Sequence, residues 1–297
     1  MSLLRCLFMG AALLLAGCSK APEAPPVQPG GSRVALWEVS DKTGPRAWIF
    51  GTVHALPKGT AWQRPEIAAA LGKSDRLVLE IAEQLDPQIA GAALARLAVT
   101  RGLPPVSARV GPAHRGQLEQ TFQSLGLRDE TFTDQETWAV ALQIAAIKGE
   151  AGGIHAADGV EPELRRLAGT KRVEGLEDID SQFAMFDQMA QPQQTRLLDE
   201  TLAEIASPED EERDLLKLWL SGDELGIARE SAKGFLADGA LRDVLLTRRN
   251  QAWSTKLDAM LKQGARPFIA VGAAHVAGDA GLPALLAARG WTVKRVP

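Results

Sequence analysis

Among its 297 residues the chain has no tyrosine and only two cysteines, Cys6 and Cys18. Two cysteines cannot make a disulfide framework, so the core has to be held by apolar burial. Positive charge is not in excess: 33 lysines and arginines stand against 37 acids, a net charge of −4. Nothing here provides the basic footprint of a nucleic-acid binder. No apolar run reaches the roughly 20 residues of a membrane-spanning helix. Several catalytic signatures are also missing: there is no H-E-x-x-H, no G-x-S-x-G and no C-x-x-C. Gly72-Lys73-Ser74 imitates the end of a phosphate-binding loop, but Ile67 stands where its first glycine is required.

What is present is an ordinary globular composition, 45% apolar and 24% charged. The length suffices for a substantial core in one large domain or two small ones. At the amino end, Arg5 precedes a short apolar run, Cys6 to Ala16, that closes on Leu15-Ala16-Gly17-Cys18. The pattern resembles a bacterial lipobox, which implies loss of residues 1–17 and acylation of Cys18. An ordinary secretory signal with an incidental cysteine is the alternative. Residues 18–32 then form the lipidated cysteine and a proline-rich spacer, and 33–297 the folded domain. The expectation is a cell-envelope protein tethered by lipid and facing the periplasm. Ser19, in place of an aspartate after the cysteine, points to the outer membrane.

The folded part is organised around two similar stretches, Trp48-Ile49-Phe50-Gly51-Thr52-Val53-His54 and Phe268-Ile269-Ala270-Val271-Gly272-Ala273-Ala274-His275. Each is a short bulky run ending in Gly-x-x-His and preceded by a proline, so each reads as a buried strand. After the first come a helix, Pro65 to Leu71, and a strand, Arg76 to Ile81; after the second, a helix, Pro283 to Arg289, and a strand, Trp291 to Arg295. Val34–Val39 predicts a further strand in a hairpin with the first motif. Between the two units the helical period dominates. Helices are expected over Ile89–Val99, Gln117–Leu125, Glu136–Ile147, Pro162–Leu167, Ile179–Met189, Pro192–Ile205, Ser207–Leu220 and Leu241–Lys262, with a short strand Lys171–Leu176. The fold class is therefore α/β or α+β, a central mixed sheet made by the two ends and a largely helical middle. The two units share a pattern that suggests duplication.

All four histidines lie in a Gly-x-x-His, so context has to separate them. Only His54 and His275 follow apolar strands, which places both where open α/β sheets hold ligands. His114 and His155 read as exposed loop histidines. Glu80 closes the apolar run Leu77-Val78-Leu79, where an unpaired buried carboxylate would be costly. It needs a cation, a metal or a strand end that reaches water. Two imidazoles and a carboxylate suit a divalent metal with open positions for water and substrate. Without a metal, the same residues suit a histidine base steered by a carboxylate. Both remain open.

Trp48–His54, Arg76–Glu80, Val173–Glu177, Trp219-Leu220-Ser221-Gly222-Asp223, Arg249-Asn250-Gln251-Ala252-Trp253 and Phe268–His275 with Gly278 together resemble the TraB/GumN family. The likeness runs over essentially all of the chain after residue 33. That family is similar to the Tiki metalloproteases, which cleave an N-terminal segment from Wnt proteins. It is more distantly related to erythromycin esterases and to the haem-binding lipoprotein ChaN. The resemblance implies a hydrolase acting on a peptide, other amide or ester bond, with His54, Glu80 and His275 holding manganese or a cobalt- or zinc-like ion. It adds Glu177 and Arg249 as further site residues, the arginine holding a substrate carboxylate or an oxyanion. Gly159-Val160-Glu161 stands where the family has Gly-hydrophobic-Asp. A metal-independent esterase-like hydrolase using His54 as base, and a haem- or metal-binding envelope lipoprotein without catalysis, are the other readings.

Overall fold

A computed structural model describes residues 32–83, 87–207 and 209–297. The expected signal, the acylated cysteine and most of the spacer lie outside the described residues, as does Pro208 of one predicted helix start.

A six-stranded mixed sheet forms the centre. Strands β1 (Leu36–Asp41) and β2 (Gly44–Thr52) make the predicted hairpin. They are joined in the sheet by β3 (Arg76–Ile81), β4 (Arg172–Glu177), β5 (Pro267–Gly272) and β6 (Thr292–Arg295). Their order is β4-β3-β5-β2-β1-β6. The four strands from β4 to β2 run parallel, and β1 is antiparallel to both β2 and β6.

The two histidine strands are therefore neighbours, with Gly51 opposite Val271 and Thr52 opposite Gly272. The units they open interleave instead of forming two equivalent halves. The return strand of the first, β3, lies just beyond β5, whereas β6 returns to the far edge outside β1. The hairpin explains the asymmetry, because β1 already occupies the position beside β2.

Alternation along the central strands covers both faces with apolar side chains, as a parallel sheet requires. Trp48, Phe50, Leu77, Leu79, Phe268 and Ala270 pack on one side. Ile49, Val78, Ile269 and Val271 pack on the other, under Trp253, Leu257 and Leu261 of helix Arg248–Lys262. Glu80 is two residues beyond Val78 and shares its face, which turns the carboxylate toward that helix.

The helical middle has a core of its own around Trp138, Phe183 and Phe186, with the Trp138 and Phe186 rings stacked at 5.7 Å. The expected helix Leu241–Lys262 forms, but its winding changes within it. An α-helical turn Gly239–Arg242 passes into a π-helical stretch Asp243–Thr247 before Arg248–Lys262 resumes. Such single π turns frequently occur beside functional residues. No helix among the described residues is long and apolar enough to cross a membrane.

Candidate active site at the carboxyl edge of the sheet

The four parallel strands all deliver a residue to one edge. Glu80 is the last residue but one of β3, Glu177 ends β4, Gly272 ends β5, and His54 follows β2 by two residues. His275 lies on the 3-10 turn Ala273–Val276 that follows β5. Nε2 of His54 and Nε2 of His275 are 3.8 and 3.9 Å from the same oxygen, Glu80 Oε1. Residues more than two hundred positions apart thus meet at one carboxylate.

The glycines of the two Gly-x-x-His motifs permit this approach, and each serves the other motif. A Cβ on Gly51 would lie 2.7 Å from Val276 Cγ2, on the turn that carries His275. A Cβ on Gly272 would point into the site, 3.2 Å from Glu80 Oε1 and 3.5 Å from His54 Nε2. The Gly272 N–H, in turn, donates to Glu80 Oε1 at 2.7 Å.

Each imidazole is held from behind by an oxygen. Nδ1 of His54 is 2.7 Å from Glu161 Oε1, and since a carboxylate only accepts, that nitrogen carries a proton. The Thr52 hydroxyl donates to the same Glu161 oxygen. Glu161 lies in the first turn of helix Val160–Ala168, where the helix dipole favours a carboxylate. Gly159 brings that helix against the histidine loop, because a Cβ there would stand 2.0 Å from the His54 carbonyl oxygen. On the other side Asn250 donates through Nδ2 to the Ala280 carbonyl at 2.8 Å, which leaves its Oδ1 to accept from His275 Nδ1 at 2.6 Å. The His275 Nε2 consequently presents a lone pair.

Arg249 fills the space between. Its Nε donates to Glu177 Oε2 at 3.2 Å, and its Nη2 to Glu177 Oε1 at 2.5 Å and Glu80 Oε2 at 2.8 Å. Its Nη1 donates to the Leu245 carbonyl and to His275 Nε2, both at 3.1 Å. The guanidinium also lies 4.5 Å over the Trp253 ring, which tilts against His275. Arg249 is buried, 6% exposed, and His275 fully so, whereas the His54 side chain keeps 14% of its surface.

Burial and neighbours push the two imidazoles apart. Burial would lower His54, but the charge and hydrogen bond of Glu161 outweigh it, with Glu80 adding, and raise it to about 9. Burial pushes His275 down to about 3 against the upward pull of Glu80, and the charges of Arg249 and His54 add to the lowering. Burial would raise Glu80, but the Arg249 guanidinium first, then the two histidines and Gly272, hold it at about 2. Glu177 goes the other way: burial raises it despite Arg249.

The sequence-derived residues His54, Glu80, Glu177, Arg249 and His275 are thus brought together. His114 and His155 are half-buried and bonded elsewhere, to Gln117 and to Glu150. Asn250, Thr52 and Trp253 join the site without having been singled out, and so does Glu161, which the sequence marks only as standing in place of the family's aspartate. Trp253 could have been found by its i+4 spacing from Arg249, which puts both on one helix face. Glu161 could have been found by its place two residues after a glycine at a helix start.

The metal set implied by the resemblance is His54, Glu80 and His275. Orientation favours it, since both Nε2 atoms face one carboxylate oxygen while both Nδ1 atoms are anchored, the usual arrangement behind a metal-bound histidine. Occupancy opposes it, because Arg249 takes the His275 Nε2 lone pair and Glu80 Oε2. Among the described residues no group of three or more histidine, cysteine or carboxylate side chains is arranged to hold an ion. Arranged in this way, the three residues do not fit a metal.

The sequence model of the TraB/PrgY/gumN family matches residues 35–295. The chain is 26% identical over 255 residues to the uncharacterized protein YbaP of Shigella flexneri, a match that covers 84% of this chain and 92% of that protein. It is 26% identical over 240 residues to the uncharacterized protein YbaP of Escherichia coli K12, covering 80% and 86%. No solved structure matches.

Proposed function

This chain belongs to the TraB/PrgY/gumN family, and from that premise we propose that it is a hydrolase of a peptide, other amide or ester bond, with His54 as its proton-transfer residue. The supporting observation is that His54 alone of the two imidazoles keeps a free face. Its Nδ1 is fixed on Glu161 at 2.7 Å while Nε2 lies 3.8 Å from Glu80 Oε1, and the side chain keeps 14% of its surface where that of His275 keeps none.

In its neutral form His54 Nε2 takes a proton from a water molecule as the water oxygen attacks the carbonyl carbon. Glu161 stabilises the imidazolium so formed, and a positioned base of this kind contributes about 10²–10⁴-fold. The proton then passes from Nε2 to the leaving nitrogen or oxygen as its bond to the carbonyl carbon breaks. Glu80, held by Arg249 and the Gly272 N–H, keeps Nε2 aimed inward and adds negative charge beside the imidazolium.

A divalent-metal hydrolase at His54, Glu80 and His275 is the second reading, favoured by the shared Glu80 oxygen; it requires Arg249 to release His275. Cell-envelope location through lipid on Cys18 belongs to the same proposal. A Cys18→Ser chain that still partitions with membranes and still takes up labelled palmitate would remove it.

The test is hydrolysis of a panel of activated esters and peptide amides by the purified full chain, beside His54→Ala. Turnover that His54→Ala lowers at least about 10²-fold supports the assignment. Turnover that survives the substitution overturns it.

A further inference from the structure

We propose that the Arg249 guanidinium is the resident cation of this site, holding by itself the position at Glu80 and His275 that the family resemblance gives to a divalent metal. The proposal concerns the same residues as the hydrolase reading but does not rest on it.

Three observations carry it. A guanidinium has five N–H donors, and all five of Arg249 are used inside the protein: two on Glu177, one on Glu80, one on the Leu245 carbonyl and one on His275 Nε2. A ligand to a metal has to present a lone pair, and that of His275 is the one that Nη1 covers. The tautomer is not free to change, because Asn250 is tied to the Ala280 carbonyl and holds the proton on His275 Nδ1.

The surroundings are built to keep the arginine there. Its own helix follows a π-helical stretch, in which Arg248 N–H bonds back five residues to Asp243, and the Leu245 carbonyl of that stretch accepts Nη1. Trp253, one turn further along, supplies the ring on which the guanidinium rests. A dication placed against Glu80 and His275 would face this fixed positive charge across a few ångströms with little water to screen it. With Arg249 in place, His54 is left as the imidazole that can exchange protons.

The same geometry says what removal would do. Without the guanidinium, His275 Nε2, His54 Nε2 and Glu80 would face one another around an uncompensated carboxylate, which is the donor set of a metal site. Arg249→Met, similar in length and uncharged, would therefore convert an arginine-filled site into a metal-binding one.

The experiment uses the full chain purified without chelator and without added metal. Elemental analysis of the wild type is expected to show no stoichiometric transition metal, and its melting temperature to be unmoved by EDTA. Titration with Co²⁺ is expected to leave the wild type colourless and to give Arg249→Met the visible bands of a four-coordinate cobalt with a raised melting temperature. Should Arg249→Met fail to fold, histidine ¹⁵N spectra of the wild type decide: His275 Nε2 stays unshifted when Zn²⁺ is added. Stoichiometric metal in the wild type, a melting temperature lowered by EDTA, or a Zn²⁺-shifted His275 Nε2 overturns the proposal. So does a folded Arg249→Met that binds no Co²⁺. None of these measurements uses a substrate, so a protein that hydrolyses nothing but passes them sinks the hydrolase reading alone.

Discussion

Glu161 Oε1 lies 2.7 Å from Nδ1 of His54 and receives the Thr52 hydroxyl on the same atom. A threonine buried in β2, a carboxylate from a helix start and a histidine from the intervening loop are thereby locked together.

From this contact a pH dependence follows. Glu161 and Glu80 raise His54 to about 9, and a histidine acting as base works in its neutral form, so kcat/KM should climb with pH toward a midpoint near 9. Glu161→Gln removes the larger of the two carboxylate contributions and should move that midpoint downward. It should also lower the plateau, by about 10- to 10²-fold, because the ring loses its charged anchor. Glu161→Asp should recover part of the plateau. A pH profile that is the same in wild type and Glu161→Gln would remove the carboxylate from the mechanism.

Stability should peak near neutral pH. In the unfolded chain His275 gains its proton near 6.5, whereas in the folded chain it does so only near 3. The unfolded state therefore binds the extra proton between those values, and stability falls as pH drops from about 6.5 to about 3. Glu80, held at about 2 against 4.5, adds a loss of the same sign between those two values. His54 works in reverse: its contribution is complete below 6.5 and is lost as pH rises through about 9. Each proton so linked changes stability by about 1.4 kcal/mol per pH unit. Chemical denaturation across this range should show the maximum, and a His54→Gln variant should lose the alkaline limb.

Gly272 and Gly159 should separate site from fold. A Cβ at Gly272 would meet Glu80 Oε1 tightly at 3.2 Å and touch His54 and His275 at ordinary contact distances of 3.5 and 3.7 Å, all of them side chains. Gly272→Ala should keep its melting temperature within a few degrees while activity falls. At Gly159 the added carbon would be 2.0 Å from a backbone oxygen that cannot yield without moving the loop. Gly159→Ala should cost about 1–3 kcal/mol, the usual range for forced overpacking. Thermal unfolding beside a turnover assay separates the two outcomes.

Arg249 should matter to the fold as much as to the chemistry. Removing it leaves Glu80 and Glu177 facing each other in a buried site, and breaking such a buried pair costs about 3–5 kcal/mol. Arg249→Lys should recover little, since three donors on one point charge cannot replace five on a planar fork. Glu177→Gln added to Arg249→Met should restore part of the loss, because it takes away one stranded charge. Equilibrium unfolding of the wild type, Arg249→Met, Glu177→Gln and the double variant forms the cycle that checks this.

Much of the fold was legible because it depends on local pattern. The runs ending in His54, Glu80 and His275 are apolar on both faces, as strands of a covered parallel sheet are, and all three form as strands. The first begins four residues early, at Gly44, and the two histidines lie just past their strand ends. The helix start at Pro65 and the strand beginning near Arg172 were legible for similar reasons. The π-helical stretch before Arg249 was not, since it changes hydrogen-bond partners without a proline or glycine to mark it. Interleaving of the two end units was equally hidden, as strand order depends on which edge is already taken.

Residue types and periodicity determined the strands, their polar ends and the pair of imidazoles beside a carboxylate. They could not determine that Asn250 fixes one ring's tautomer, that Glu161 charges the other, or that Arg249 spends every donor on its neighbours. Those outcomes are set by distances of about three ångströms between side chains far apart in the chain. Such distances exist only once the sheet has put β2, β3, β4 and β5 side by side.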